Sequence, residues 1–150
     1  RKRLLPSRPT CKTTSPQKER ALCDLMNKIS FHLLRVGLAV TFLWIGVLIL
    51  KYPEAWGGYM QPWAANLLPV PLKQAMFGTA MLDIAIGFFL LISVQVWIAA
   101  FIAAAHLVIV MTVSGITDIT ARDVGLLAAS AVLVIESLPV RIRSKIKFLK

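Results

Sequence analysis

Cysteine and histidine are almost missing from this 150-residue chain, which has two of each: Cys11, Cys23, His32 and His106. The two cysteines both precede the first long apolar run, and no C-x-x-C pair exists. Thiol–disulfide catalysis by this chain alone, inside a membrane, is therefore excluded. Two isolated histidines without a ligand cluster exclude a zinc site, and no metal is expected. No haem is expected either. His32 stands at the inner end of the first apolar run and His106 about ten residues into the third, depths that differ by roughly 15 Å, too far for two axial ligands on one haem.

Charge is also sparse, 16% of residues where soluble domains carry about 25%. It is one-sided as well, with 17 Lys+Arg against 7 Asp+Glu and a net charge of +10. Between residues 36 and 140 the only basic residues are Lys51, Lys73 and Arg122. The rest flank hydrocarbon-like segments and are not interleaved with aromatics on one face. That placement fits anionic headgroups and excludes nucleic acid as a partner.

What the chain has in quantity is apolar sequence, 57% of residues. Four stretches, about 33–51, 73–94, 96–114 and 122–138, approach the roughly 20 residues that cross a bilayer at 1.5 Å per residue. The fold class is all-α: a polytopic membrane protein with a four-transmembrane-helix bundle over 31–140. The second and third spans form a tight hairpin about residues 93–95. No small-residue cleavage site follows the first apolar run, so that run reads as a span and not as a signal peptide. Four spans put both termini on one side. That side holds the terminal Lys and Arg residues, so the positive-inside rule makes the termini cytoplasmic, in a cell (inner) membrane.

The segment 1–30 is a basic cytoplasmic leader. Residues 1–15, with Pro, Ser, Thr and basic side chains and no apolar period, read as a flexible tail. Ser15-Pro16 is a helix start. Leu22, Met26, Ile29 and Leu33 then recur at steps of four and three, giving an amphipathic helix over 16–30 that anchors to the membrane surface or docks a partner. Residues 141–150 are a basic cytoplasmic tail.

The outer loop, 52–72, carries Tyr52, Trp56, Tyr59 and Trp63 among four prolines. It is an interfacial aromatic belt, with a short helix from Pro62, or a lid over a cavity between the helices.

Ionisable residues inside the spans are the candidate sites, since hydrocarbon tolerates them only when paired or wet. Asp83 in the second span and His106 in the third each lie near the midplane of a tight hairpin, so their side chains can meet. Small residues, Ala80 and Gly87 beside Asp83 and Ala99 and Ala103 beside His106, are expected to bring those two helices close. The pair is either a structural interhelical bond or a proton or ligand site. Trp44 and Trp63 join Asp83 and His106 as candidate cavity lining. By the same depth argument Arg35 and Glu136 form a salt bridge that closes the cytoplasmic end. Arg122 and Asp123 are structural residues at the start of the last span, Asp123 serving the helix N-terminus.

Several motifs together resemble the DoxX-like family of small membrane proteins. Arg35, Gly37, Phe42, Trp44, Gly46 and Lys51 are similar to its first helix, and Pro62-Trp63 to its outer loop. Gly78-x4-Asp83-x3-Gly87 is similar to its second helix, where the acidic residue is usually Glu. Asp118-x3-Arg122-Asp123-x-Gly125-Leu126 resembles the segment before its last helix. The resemblance spans about Leu33 to Leu138 and leaves the basic leader unexplained. It implies a four-helix membrane bundle acting as a subunit or anchor in a redox-related membrane system, with a quinone or small hydrophobic ligand between the helices and a protein partner or complex. Two alternatives stand beside it, a quinone-reducing membrane enzyme and a structural or assembly subunit of a larger membrane complex.

Overall fold

The computed structural model describes residues 16–139, and every regular element among them is helical. The expected flexible leader 1–15 and the basic tail 141–150 lie outside the described residues. In order, the elements are α1 (Pro16–Lys51), α2 (Pro53–Gly57), α3 (Pro62–Leu67), α4 (Leu72–Leu91), α5 (Val96–Ser114) and α6 (Asp118–Ser137). Three helices are long and apolar enough to cross a membrane: α1 over Arg20–Lys51, α4 and α5. α6 has similar length, 20 residues, but carries Asp118, Arg122, Asp123 and Glu136.

The leader helix and the first span are not two elements. α1 runs 36 residues without a break, about 54 Å. No proline follows Pro16 within it, and no glycine precedes Gly37, so nothing in the sequence ends the helix at residue 30.

The long helices pack in cyclic order, α1 on α4, α4 on α5, α5 on α6 and α6 back on α1. Leu38, Ala39, Phe42, Ile86, Leu90, Ala99, Ala100, Ala103, Leu107 and Leu133 form the buried core. The closest approach is between α1 and α4. A Cβ on Gly46 would stand 2.9 Å from the Ala80 carbonyl oxygen, and one on Gly87 2.8 Å from that of Ala39. The small face of α4 therefore serves α1. The expectation that Ala80 and Gly87 draw α4 onto α5 is corrected here: Ala80 lies against Gly46, and Gly87 against Ala39 and Leu43, all on α1.

The α4–α5 hairpin turns through Ser93 (φ 62°) and Gln95 (φ 48°), both left-handed. Arg35 braces this turn. Its guanidinium donates to the Leu90 carbonyl at 2.9 Å, to the Leu91 carbonyl at 3.3 Å, and to Ser93 Oγ. The expected Arg35–Glu136 salt bridge does not form, and Glu136 is exposed. The last carbonyls of α4 have no partners within their helix, and they sit at the negative end of its dipole. A buried arginine gains several acceptors there, while Glu136 keeps its hydration.

Arg35→Met keeps the stem but removes these charge-assisted bonds. It is expected to cost about 2 kcal/mol and to lower the thermal midpoint in detergent. An unchanged midpoint would contradict the cap.

Candidate functional site

Asp83 sits in the middle of α4 and is 3% exposed. His106 sits eight residues from the end of α5. The hairpin brings them together: His106 Nε2 lies 3.1 Å from Asp83 Oδ1. The distance is that of a hydrogen bond, but the ring N–H is not aimed at the oxygen, and Oδ1 has no well-directed donor. Asp83 lines a cavity, and its buried Oδ1 keeps spare acceptor capacity, which is unusual for a purely structural pair.

That cavity has a volume of about 150 Å³. It lies at the loop end of the helices, between the C-terminal halves of α1 and α5 and the N-terminal halves of α4 and α6. Its walls are mostly apolar, among them Phe42, Ile45 and Ile49 of α1, Met76 of α4, and Leu107 and Val110 of α5. Asp83 and His106 form one polar point, and Arg122 and Asp123 a second.

Asp123 is buried, and its Oδ1 accepts from Arg122 Nε at 3.4 Å and Nη2 at 3.2 Å. It is not the helix cap. Thr117 is, in a capping box with Thr120: the Thr120 N–H donates to Thr117 Oγ1 at 3.3 Å, and the Thr117 N–H to Thr120 Oγ1 at 2.8 Å. Asp123 lies more than a turn further along, and its carboxylate belongs to the cavity wall. The nearness of Arg122 and Asp123 to the helix start is legible in the sequence, and the inward face of α6 is not.

Two expected lining residues are corrected. Trp44 is 68% exposed and Trp63 is 51% exposed, and neither lines the cavity. Trp44 stands on the side of α1 opposite the buried Phe42 and Ile49, while Trp63 faces outward from α3. The aromatics that do line the cavity are Trp56 and Tyr59. Their rings meet edge to face with centroids 6.4 Å apart. The stretch that carries them is tied to α5, where the Gln61 N–H donates to the Val113 carbonyl at 2.8 Å and Gln61 Nε2 to the Ser114 carbonyl at 3.2 Å. Gly115 is required beside this tie: its φ is 70°, and a Cβ there would lie 2.8 Å from Gln61 Nε2.

Among the described residues no group of three His, Cys, Asp or Glu side chains could hold a metal ion. Comparison with protein-family models, with curated proteins and with solved structures finds no match to this chain.

The arrangement can do a limited set of things. An apolar chamber of this size accommodates about one six-membered ring, since a cavity of similar volume holds benzene. The two polar points orient such a ring through its own hydrogen-bonding atoms. Asp83 and His106 can share or pass a proton across 3.1 Å.

Proposed function

We propose that the protein is a DoxX-like integral membrane subunit or anchor of a redox-related membrane system, and that its cavity takes the head group of a quinone or a similar small hydrophobic ring. In this reading α6 is a fourth span, the termini are cytoplasmic and the membrane is the inner membrane. The observation that carries it is the buried Asp83–His106 pair on the wall of a mostly apolar chamber, with one carboxylate oxygen lacking an aligned donor. A ring carbonyl supplies an acceptor for the histidine N–H, and a ring hydroxyl supplies a donor for the free oxygen. The volume suits one ring without its tail, which would have to leave between the helices.

A bound quinone supplies two-electron redox chemistry that the side chains lack. The residues do the rest. His106 presents Nε2, Asp83 presents a carboxylate oxygen 3.1 Å from it, and Trp56 and Tyr59 keep water from the loop end. Protein partners supply or take the electrons in this reading.

Purification in native lipid, followed by organic extraction and mass spectrometry, tests it. A quinone near one per chain, above its share of the surrounding lipid, is expected. Bulk lipid together with a stoichiometric protein partner would replace this reading with that of an assembly subunit.

The orientation has its own test. With Cys11 and Cys23 replaced by serine, Gly58→Cys is expected to react with a membrane-impermeant thiol reagent in intact cells. In the parent chain, Cys11 is expected not to react. The reverse pattern would invert every side assignment.

A further inference from the structure

The first half of α1 has no partner among the described residues. Every residue from Arg20 to Ser30 whose surroundings are described is exposed. The arm carries Leu22, Leu25, Met26 and Ile29, each more than half exposed, and Leu33 at its base is 74% exposed. Apolar side chains in lipid need no explanation. These precede the part of α1 that packs on the other helices, which begins about Phe31 and Leu34.

The apolar positions form a line. Leu22, Met26, Ile29, Leu33, Val36 and Val40 are separated by four, three, four, three and four residues, the spacing of a coiled-coil seam. At about 100° per residue they fall within roughly 40° of one line along the helix, and Trp44 and Val47 continue it. All eight are exposed. The buried face of α1, with Leu38, Phe42 and Ile49, lies on the opposite side.

From this geometry we propose that two copies of the chain pair in parallel through the outward seam of α1. Charge placement selects a second copy. Between Arg20 and Ser30 the charged residues Arg20, Asp24 and Lys28 stand about 120° or more from the seam line, so over that stretch two copies meet without opposing like charges. The flanking positions Cys23, Ser30 and His32 carry no fixed charge. Because the seam points away from the rest of the molecule, a two-fold axis beside α1 places the remaining helices of both copies on the outside without collision. Copies inserted in one direction meet parallel. At the observed exposures the seam offers on the order of 800 Å² per copy, the share each partner gives to a standard specific interface. A membrane surface is the poorer occupant: a helix lying on it needs a break at its junction with the span, and α1 has none.

Cysteine crosslinking of the full chain in its membranes tests this. In a chain with Cys11 and Cys23 replaced by serine, Ile29→Cys is expected to give mostly a product of twice the chain mass on oxidation, and Lys28→Cys almost none. Adding Leu22→Glu and Met26→Glu to the Ile29→Cys chain is expected to remove the product. These positions touch no core residue, so the fold is retained. No product at Ile29, equal products at both sites, a product that survives the glutamates, or a crosslink to a different protein would each overturn the pairing.

Discussion

Gly87→Ala is expected to destabilise the protein by about 2–3 kcal/mol, the range for forcing an extra carbon into a packed core, while Gly78→Ala in the same helix is expected to be neutral or stabilising. The two substitutions are chemically identical and nine residues apart on α4. An added Cβ at Gly87 meets the Ala39 carbonyl oxygen at 2.8 Å and the Leu43 nitrogen at 2.9 Å. Both are backbone atoms of α1 and cannot rotate away. The helices would have to separate along a register that also holds Gly46 on Ala80 and Arg35 on the end of α4. At Gly78 nothing lies within 4 Å, so alanine adds only helix propensity, up to about 1 kcal/mol. Gly87→Leu is expected to leave no folded protein. Thermal unfolding of the two alanine variants in one detergent settles the contrast, and equal midpoints would show that α1 and α4 do not meet as described.

Asp83→Asn is expected to fold normally and to lose ligand retention. An interhelical hydrogen bond in a membrane protein is worth about 0.6 kcal/mol on average and at most about 2. The His106 N–H is not aimed at Oδ1, so no aligned bond is lost and stability changes little. The amide cannot take up a proton, and it presents a donor where the carboxylate presented an acceptor. Replacing both Asp83 and His106 by leucine is expected to leave stability close to that of the parent, since both buried polar groups go together, and to abolish binding. A folded Asp83→Asn protein that keeps its ligand and its activity would reduce the pair to a structural bond.

Much of the helical framework was legible from apolar runs and punctuation. Pro62 opens α3, and the expected 96–114 span coincides with α5. The meeting of Asp83 and His106 follows from depth in a hairpin, which needs only residue counts and the helical rise. Helix phase was harder to read. Trp44 and Phe42 are two residues apart and nearly opposite around α1, and only the set Leu38, Phe42 and Ile49 shows which side is inward. Trp56 and Trp63 were indistinguishable as loop aromatics until Gln61 tied the stretch to α5. The partner of Arg35 is not legible in the sequence: unlike charges at one depth invite pairing, whereas the carbonyls at the end of a helix carry no letter. The unbroken α1 could have been read from the lack of any breaker between Pro16 and Gly37, and the continuation of the Leu22–Leu33 stripe through Val36 and Val40 was already present in the spacing.

The central claim is that the chamber beside Asp83 and His106 binds a small ring. Trp56 on its wall reports on it directly. With Trp44, Trp63 and Trp97 replaced by phenylalanine, the remaining indole fluorescence comes from the cavity. Titration of this protein with duroquinone, a ring without a tail, is expected to give saturable quenching, and the same titration after Val110→Phe fills the chamber is expected to give only the weak linear quenching of collisions. Linear quenching in both proteins would contradict the account.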